Sequence, residues 1–405
     1  MNQFLSQKGK TEHLFAGLRC DIFCNVIDNF GDIGVCWRLA RQLVHEHGLA
    51  VRLWVDDMGS FARLYPEARM DVAMQSCRGV EVCLWGKPFP DTRPAELVIE
   101  AFSCKLPQNY IEAMADQARK PVWINLEYLS AEDWVESHHK LASPHPRLPL
   151  TKYYFFPGFT RQTGGLLLEH DLLARRDAFL NDSLLQRQFW HGIGLETPPS
   201  GTLKISLFAY ENAVLHDLLD AWVQGAQPVL CLVPEGRILP QAGQYFDDPA
   251  PCAGKVYTRG NLQLRVLPFV AQERYDELLW ACDINFVRGE DSFVRAQWAD
   301  KPFIWHIYPQ HDGVHRQKLL AFIGKYGAGL PLDAAQALRG LWATWNGEPE
   351  GLPGKAWNDF LAHRSTLREN SVQWARQLVD NNLALNLLDF LRETGRMRAF
   401  EIEGQ

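Results

Sequence analysis

Two parallel-sheet α/β domains are what this sequence predicts, on the strength of three observations. Strand-like apolar runs alternate with helix-period stretches in two separate series, the pattern of parallel sheets covered by helices. A Pro-, His- and Gly-rich stretch over residues 137–165 interrupts the periodicity between them, and from residue 334 onward the chain reads as helix after helix. With 405 residues, 47% of them apolar, the chain is long enough for two cores of ordinary size.

The first series reads as strands over residues 21–27, 51–55, 81–85, 97–102 and 122–126. Helices are expected at 35–47, stopped by Gly48, and at 107–117, where Pro107 suits a first turn. The stretch 137–165 is expected to be a long loop with room for a short hairpin, and loops of that length often carry function. The second series gives strands over 203–210, 229–233, 264–269, 284–287 and 303–308, with helices at 213–222, 272–281, 292–299 and 315–326. The expected division is a loosely ordered extension over 1–18, Rossmann-like domains over 19–185 and 186–370, and C-terminal helices over 371–405 free to pack back on the first domain. A twin-domain enzyme follows, with its ligand in a cleft near the carboxyl ends of both sheets.

Composition removes several classes of function. A net charge of −7 advertises no counterion-driven nucleic-acid binding. Nine cysteines, an odd number without a C-x-x-C pair, fit reduced core thiols of a cytoplasmic protein. No window is apolar enough for a signal peptide or a membrane span. His138, His139, His306, His311 and His315 lack metal-ligand spacing, so chemistry without metal or cofactor is expected.

The turn after the first strand carries DNFGDIG, residues 28–34, where two aspartates stand in place of the G-x-G-x-x-G of a dinucleotide site. Asp28 reads as a turn former and Asp32 as a helix N-cap, or both as acids facing a ligand. Glu290, Asp291 and Ser292 sit between a strand and a helix, with Ser292 expected as N-cap of a helix start suited to a diphosphate. Arg288 reads equally as a phosphate partner or as an ion-pair partner of Asp291. Phe208, Tyr210 and Phe269 end strands where a nucleobase could stack or where a core ring would sit, and Gln272 and Tyr308 share that ambiguity.

The stretches DNFGDIGVCWRLARQL, NLEYLSAEDW, FFPGF and RGEDSFVRAQWADKPFIWHIYPQ resemble the EarP family of protein-arginine rhamnosyltransferases, which modify elongation factor P. The resemblance runs from about residue 19 to the C-terminal helices and implies a GT-B glycosyltransferase with two Rossmann-like domains facing a cleft. It implies dTDP-β-L-rhamnose as donor, inversion at the anomeric carbon, and an arginine side chain of elongation factor P as acceptor. The matching catalytic carboxylates are Asp28, Asp32 and Glu290. The matching nucleotide-sugar contacts are Phe208, Tyr210, Phe269, Gln272, Arg288, Asp291, Ser292 and Tyr308.

The chemistry fits those residue types. A guanidinium has a pKa above about 12, so it is protonated and a poor nucleophile at neutral pH. One carboxylate can hold it while another takes a proton as the N–C bond forms. Asp32 is assigned as base and Asp28 as the orienting group, although either order suits the motif; Glu290 would support positive charge on the sugar or the acceptor. The competing expectations are a GT-B enzyme acting on a small-molecule or lipid acceptor, and a non-catalytic module that recognises an elongation factor. NLEYLSAEDW reads either as an acceptor contact or as a buried strand followed by a helix capped by Ser130, with Glu132 and Asp133 in its first turn.

Overall fold

The structure, a computed structural model, describes residues 15–27, 30–309, 313–348 and 351–394. The chain forms two compact units, one made of residues up to His170 together with those from Leu378 onward, the other of Asp171–Gln377. The division expected at 185 falls inside the helix Ser183–Gly192, which belongs wholly to the second unit.

The first unit is built on a sheet of strands β1 (Arg19–Cys24), β2 (Ala50–Val55), β3 (Met74–Cys77), β4 (Val80–Leu84), β5 (Leu97–Ala101), β6 (Val122–Leu126), β7 (Ala142–Pro144) and β8 (Thr151–Phe155), in the order β3-β4-β2-β1-β5-β6-β8-β7. The inner strands are parallel, and the two edges are antiparallel additions. β7 and β8 are the hairpin allowed for in the expected loop. Apolar runs such as VWINL in β6 are buried at every position, because helices cover both faces of a parallel sheet. Phe23, Trp54, Val98, Tyr110, Met114 and Trp123 form one of its cores.

Within that core Asp21 is wholly buried and fully engaged. It accepts both arms of the Arg52 guanidinium at 2.6 Å, the Ala95 N–H at 3.1 Å and the Tyr110 hydroxyl. Phe15 and Leu18, assigned by sequence to a loose extension, are buried, and Gly17 donates to the Gly48 carbonyl. Two apolar side chains anchor this end of the chain, which the polar composition of the whole stretch concealed. Residues 1–14 of that extension lie outside the described residues.

The second unit carries a sheet of β9 (Leu203–Leu207), β10 (Val229–Pro234), β11 (Val256–Arg259), β12 (Leu262–Leu267), β13 (Ile284–Arg288) and β14 (Phe303–His306), in the order β11-β12-β10-β9-β13-β14, all parallel except the edge strand β11. Indole and phenyl rings dominate its interior: Trp222, Phe286, Trp345 and Trp357 on one side, Phe293, Phe303, Phe322 and Trp342 on another. In both sheets the strand order reverses at the first strand, between β1 and β5 and between β9 and β13. Ligand crevices of open α/β sheets lie at the carboxyl ends of such strand pairs. No helix among the described residues is long and apolar enough to cross a membrane.

The last helix, Leu383–Glu393, joins the first unit through a lock of amides. Leu166 N–H donates to the Asn381 carbonyl and Leu383 N–H to the Leu166 carbonyl, while Asn381, Asn382 and Asn386 side chains reach the carbonyls of Thr160, Leu168 and Gly164. Gly165 sits at φ +78°, and a Cβ there would meet the Asn381 carbonyl oxygen at 2.2 Å. Gly165→Ala is therefore expected to cost at least about 1–3 kcal/mol in urea unfolding from backbone strain alone. Gly340→Ala, in a helix with open space around the added carbon, is expected to be neutral or stabilising.

Candidate functional site

In the first unit, β1 is followed by residues 25–27 and, from Phe30, by the helix Gly31–His47. Asp32 is not the N-cap expected from sequence: Phe30 holds that position, and Asp32 lies in the first turn. There Asp32 is 2% exposed, and its carboxylate accepts the Ile27 N–H at 2.8 Å, which fixes the acid at the carboxyl edge of the sheet. A helix first turn is a favourable place for negative charge. Asp28 lies outside the described residues. Ser130 likewise caps nothing. Its hydroxyl binds the backbone and carboxylate of Glu132, and the helix Trp134–His138 starts later, with Asp133 at its N-cap and Glu136 in its first turn.

In the second unit, Phe208 follows β9, Arg288 ends β13, Phe269 follows β12 and Tyr308 follows β14, so four expected residues share the carboxyl edge. Arg288 is 4% exposed, and its guanidinium carbon stands 4.5 Å from the Phe208 ring centre and 4.7 Å from that of Tyr210. A desolvated cation close to two rings gains cation–π energy. Tyr210 itself is buried and meets Tyr308 edge-on at 5.5 Å; Tyr308 is exposed, and Phe208 and Phe269 are half-buried. Tyr210 thus forms the wall, while the other three rings present surface.

A short ladder supports this edge. Gln272 and Asp276 lie one turn apart on the helix Gln272–Ala281, and Asp291 and Arg295 one turn apart on the helix Asp291–Gln297. Gln272 donates to Asp291 at 3.1 Å, and Arg295 grips Asp276 with two bonds of 2.8 Å, both side chains being almost fully buried. Ser292 was expected as the N-cap and anion donor. Glu290 holds the cap position instead, and the Ser292 hydroxyl turns back onto the Arg288 backbone, accepting its N–H at 3.1 Å and donating to its carbonyl. Ser292 shapes the turn that carries Arg288, and Gly289, at φ +64°, lets the chain reverse there. Glu290 stands half-buried at the head of the helix.

Three further residues belong to the same place. Tyr275 meets Phe208 at 5.8 Å, Arg237 lies 5.8 Å over the Tyr210 ring, and His306 meets Tyr210 at 5.2 Å. Burial, aided by Arg288, lowers the His306 pKa to about 3, so its ring is neutral. Arg237, just after β10, and His306, the last residue of β14, occupy strand-end positions of the same kind as Phe208 and Arg288 and were open to the same reasoning; Tyr275 is brought in by packing. Among the described residues, no group of three His, Cys, Asp or Glu side chains is placed to hold a metal ion.

Replacing Arg295 by Met strands the Asp276 carboxylate in the interior, with an expected cost of about 3–5 kcal/mol. The double variant Arg295→Met/Asp276→Leu is expected to recover most of that loss, both measured as shifts in urea midpoint.

Residues 20–392 match the model of a family described as elongation-factor P rhamnosyltransferase EarP. A protein-arginine rhamnosyltransferase of Pseudomonas putida is 51% identical over 375 residues, covering 92% of this chain and 98% of that one. A protein-arginine rhamnosyltransferase of Shewanella oneidensis is 39% identical over 387 residues, covering 92% and 98%. A solved structure from a study of EarP-mediated arginine glycosylation of translation elongation factor EF-P is 40% identical, with a TM-score of 0.67 over 93% of this chain and 99% of that one. Two Rossmann-like units of GT-B type, a shared sequence across nearly the whole length and the carboxyl-edge residues together lead to one conclusion: the chain belongs to the EarP family of elongation-factor P rhamnosyltransferases.

Proposed function

We propose that this protein transfers L-rhamnose from dTDP-β-L-rhamnose to an arginine side chain of elongation factor P, in the cytoplasm, with inversion at the anomeric carbon and without a metal ion. Membership of the EarP family across residues 20–392 is the observation that carries the reading. The chemistry of the second unit's carboxyl edge supports it. A nucleoside diphosphate offers a flat base and a doubly charged anion, and this edge offers exposed ring surface at Phe208, Phe269 and Tyr308 beside the buried Arg288.

In the proposed reaction a guanidinium nitrogen forms a bond to the anomeric carbon as the bond from that carbon to the diphosphate oxygen breaks. The acceptor loses one proton, and dTDP leaves with the bonding pair. Arg288 stabilises the charge that grows on the departing diphosphate, a contribution stronger in the transition state than before it. Asp32, oriented by the Ile27 N–H, takes the acceptor proton, and Asp28 holds the guanidinium. Glu290 supports positive character on the sugar or the acceptor. Gln272 and Asp291, bonded to each other, address the nucleoside.

Incubation of the protein with elongation factor P and dTDP-β-L-rhamnose, followed by intact-mass measurement, tests the reading. A deoxyhexose increment mapped to one arginine supports it, and an unmodified factor after full incubation overturns it.

Asp32→Asn is expected to lower transfer by about 100-fold or more, the scale of general-base catalysis, while calorimetry finds donor affinity nearly unchanged. Near-normal turnover in a folded Asp32→Asn protein removes Asp32 as the base. Phe269→Ala is expected to weaken nucleotide binding by about 1–3 kcal/mol if the ring stacks on the base. Unaltered affinity returns Phe269 to a packing role.

A further inference from the structure

The opposite edge of the second sheet holds a cavity of about 440 Å³. It opens where strands begin: Lys204 at the start of β9, Asp283 just before β13 and Lys301 just before β14, whereas the donor-edge residues stand where the same strands end. A strand of five residues spans roughly 17 Å, so the two edges are separate places on one sheet. Trp190 and Trp280, both buried, wall the cavity, and Arg368 reaches it from the helix Arg364–Leu378.

The charges around it do not cancel. Asp283 is already neutralised: its carboxylate accepts the Lys204 backbone N–H at 2.9 Å and pairs with the Lys204 ammonium at 3.1 Å. Asp177, also at the cavity, shares the Arg176 guanidinium with Asp300, each at 2.8 Å. That leaves Lys301 and Arg368. Lys301 is only 9% exposed, and neither its ammonium nor the Arg368 guanidinium makes a hydrogen bond or an ion pair with the described residues. A lysine buried to this degree is almost always paired, because desolvating an ammonium without a counter-charge is costly. Burial, together with Arg368 and Lys204, presses the Lys301 pKa below its ordinary range although Asp283 opposes the shift. An anion in the cavity would remove that penalty.

We infer that this cavity is a second binding site, distinct from the donor edge, that takes a phosphorylated small molecule about the size of a sugar phosphate, with its phosphate held between Lys301 and Arg368. A guanidinium fork and an ammonium point charge are a suitable pair of donors for phosphate oxygens. The volume exceeds what inorganic phosphate fills and lies within the range of small-molecule sites. The indole walls supply apolar surface for the remainder of the ligand.

The test is calorimetric titration of the full-length protein with ribose 5-phosphate and, separately, orthophosphate, with acetate as a carboxylate control. Each titration is run alone and with saturating dTDP. Use of dTDP to fill the donor edge rests on the proposed donor reading; comparison of variants does not. The expected result is saturable binding of the phosphates that persists with dTDP present and exceeds that of acetate. Lys301→Met and Arg368→Ala are each expected to weaken it about tenfold or more. Arg368 is exposed, so Arg368→Ala tests the site even if Lys301→Met disturbs folding. Absence of saturable binding, loss of binding when dTDP is added, acetate binding as tightly as the phosphates, or wild-type affinity in a folded variant overturns the proposal.

Discussion

The buried pair of Arg295 and Asp276 is the interaction on which the second unit's carboxyl edge depends. With both charges removed from water, its bidentate geometry at 2.8 Å offsets a large desolvation cost and adds little net stability. What it contributes is register. Asp276 is one turn beyond Gln272 and Arg295 one turn beyond Asp291, so locking the one pair sets the rotation of both helices that brings the other pair together. A hydrophobic replacement could fill the same volume without dictating that rotation. The same constraint holds the start of the second helix, where Ser292 closes on the Arg288 backbone and Arg288 lies against Phe208 and Tyr210.

Much of this was legible in the sequence because parallel sheets write themselves plainly. β6 and the helix Gln272–Ala281 occupy the very ranges that periodicity predicts, and most inner strands differ by a residue or two. Several of the elements that went unread draw their stability from elsewhere. β3 and β11 are four-residue antiparallel edges with mostly exposed side chains, so neither carries an apolar run. The helix Leu172–Asn181 mixes apolar and charged residues all round, and it is held by contacts such as Arg176 on the Trp298 carbonyl rather than by an amphipathic face.

The site followed the same logic. Phe208, Arg288 and Phe269 could be placed at the carboxyl edge because each lies at a strand end, and Phe208 and Arg288 flank the point where the strand order reverses. Two of the three capping assignments, those of Asp32 and Ser292, failed for a common reason. Asp32 and Ser292 are one position or more inside their helices, where each binds a backbone group of the preceding turn instead of the free N–H groups ahead. A side chain that shapes a turn and one that caps a helix present the same letters in the same order, and only the backbone path separates them. Tyr275 had no local signal, since packing between separate elements alone brings it to Phe208.

The amide lock between residues 160–168 and 381–386 also bears on how the protein is made. Synthesis is vectorial, and domains generally fold as they emerge. Here the unit that is begun first needs the last helix to be finished, whereas all of Asp171–Gln377 has been made before that helix appears. The unit begun second is then free to mature first, leaving the earlier one without its Asn381 and Asn382 partners until those residues have been made. Nascent chains stalled before residue 378 therefore lack the segment that closes the first unit, although nearly all the rest of that unit's sequence was made earliest.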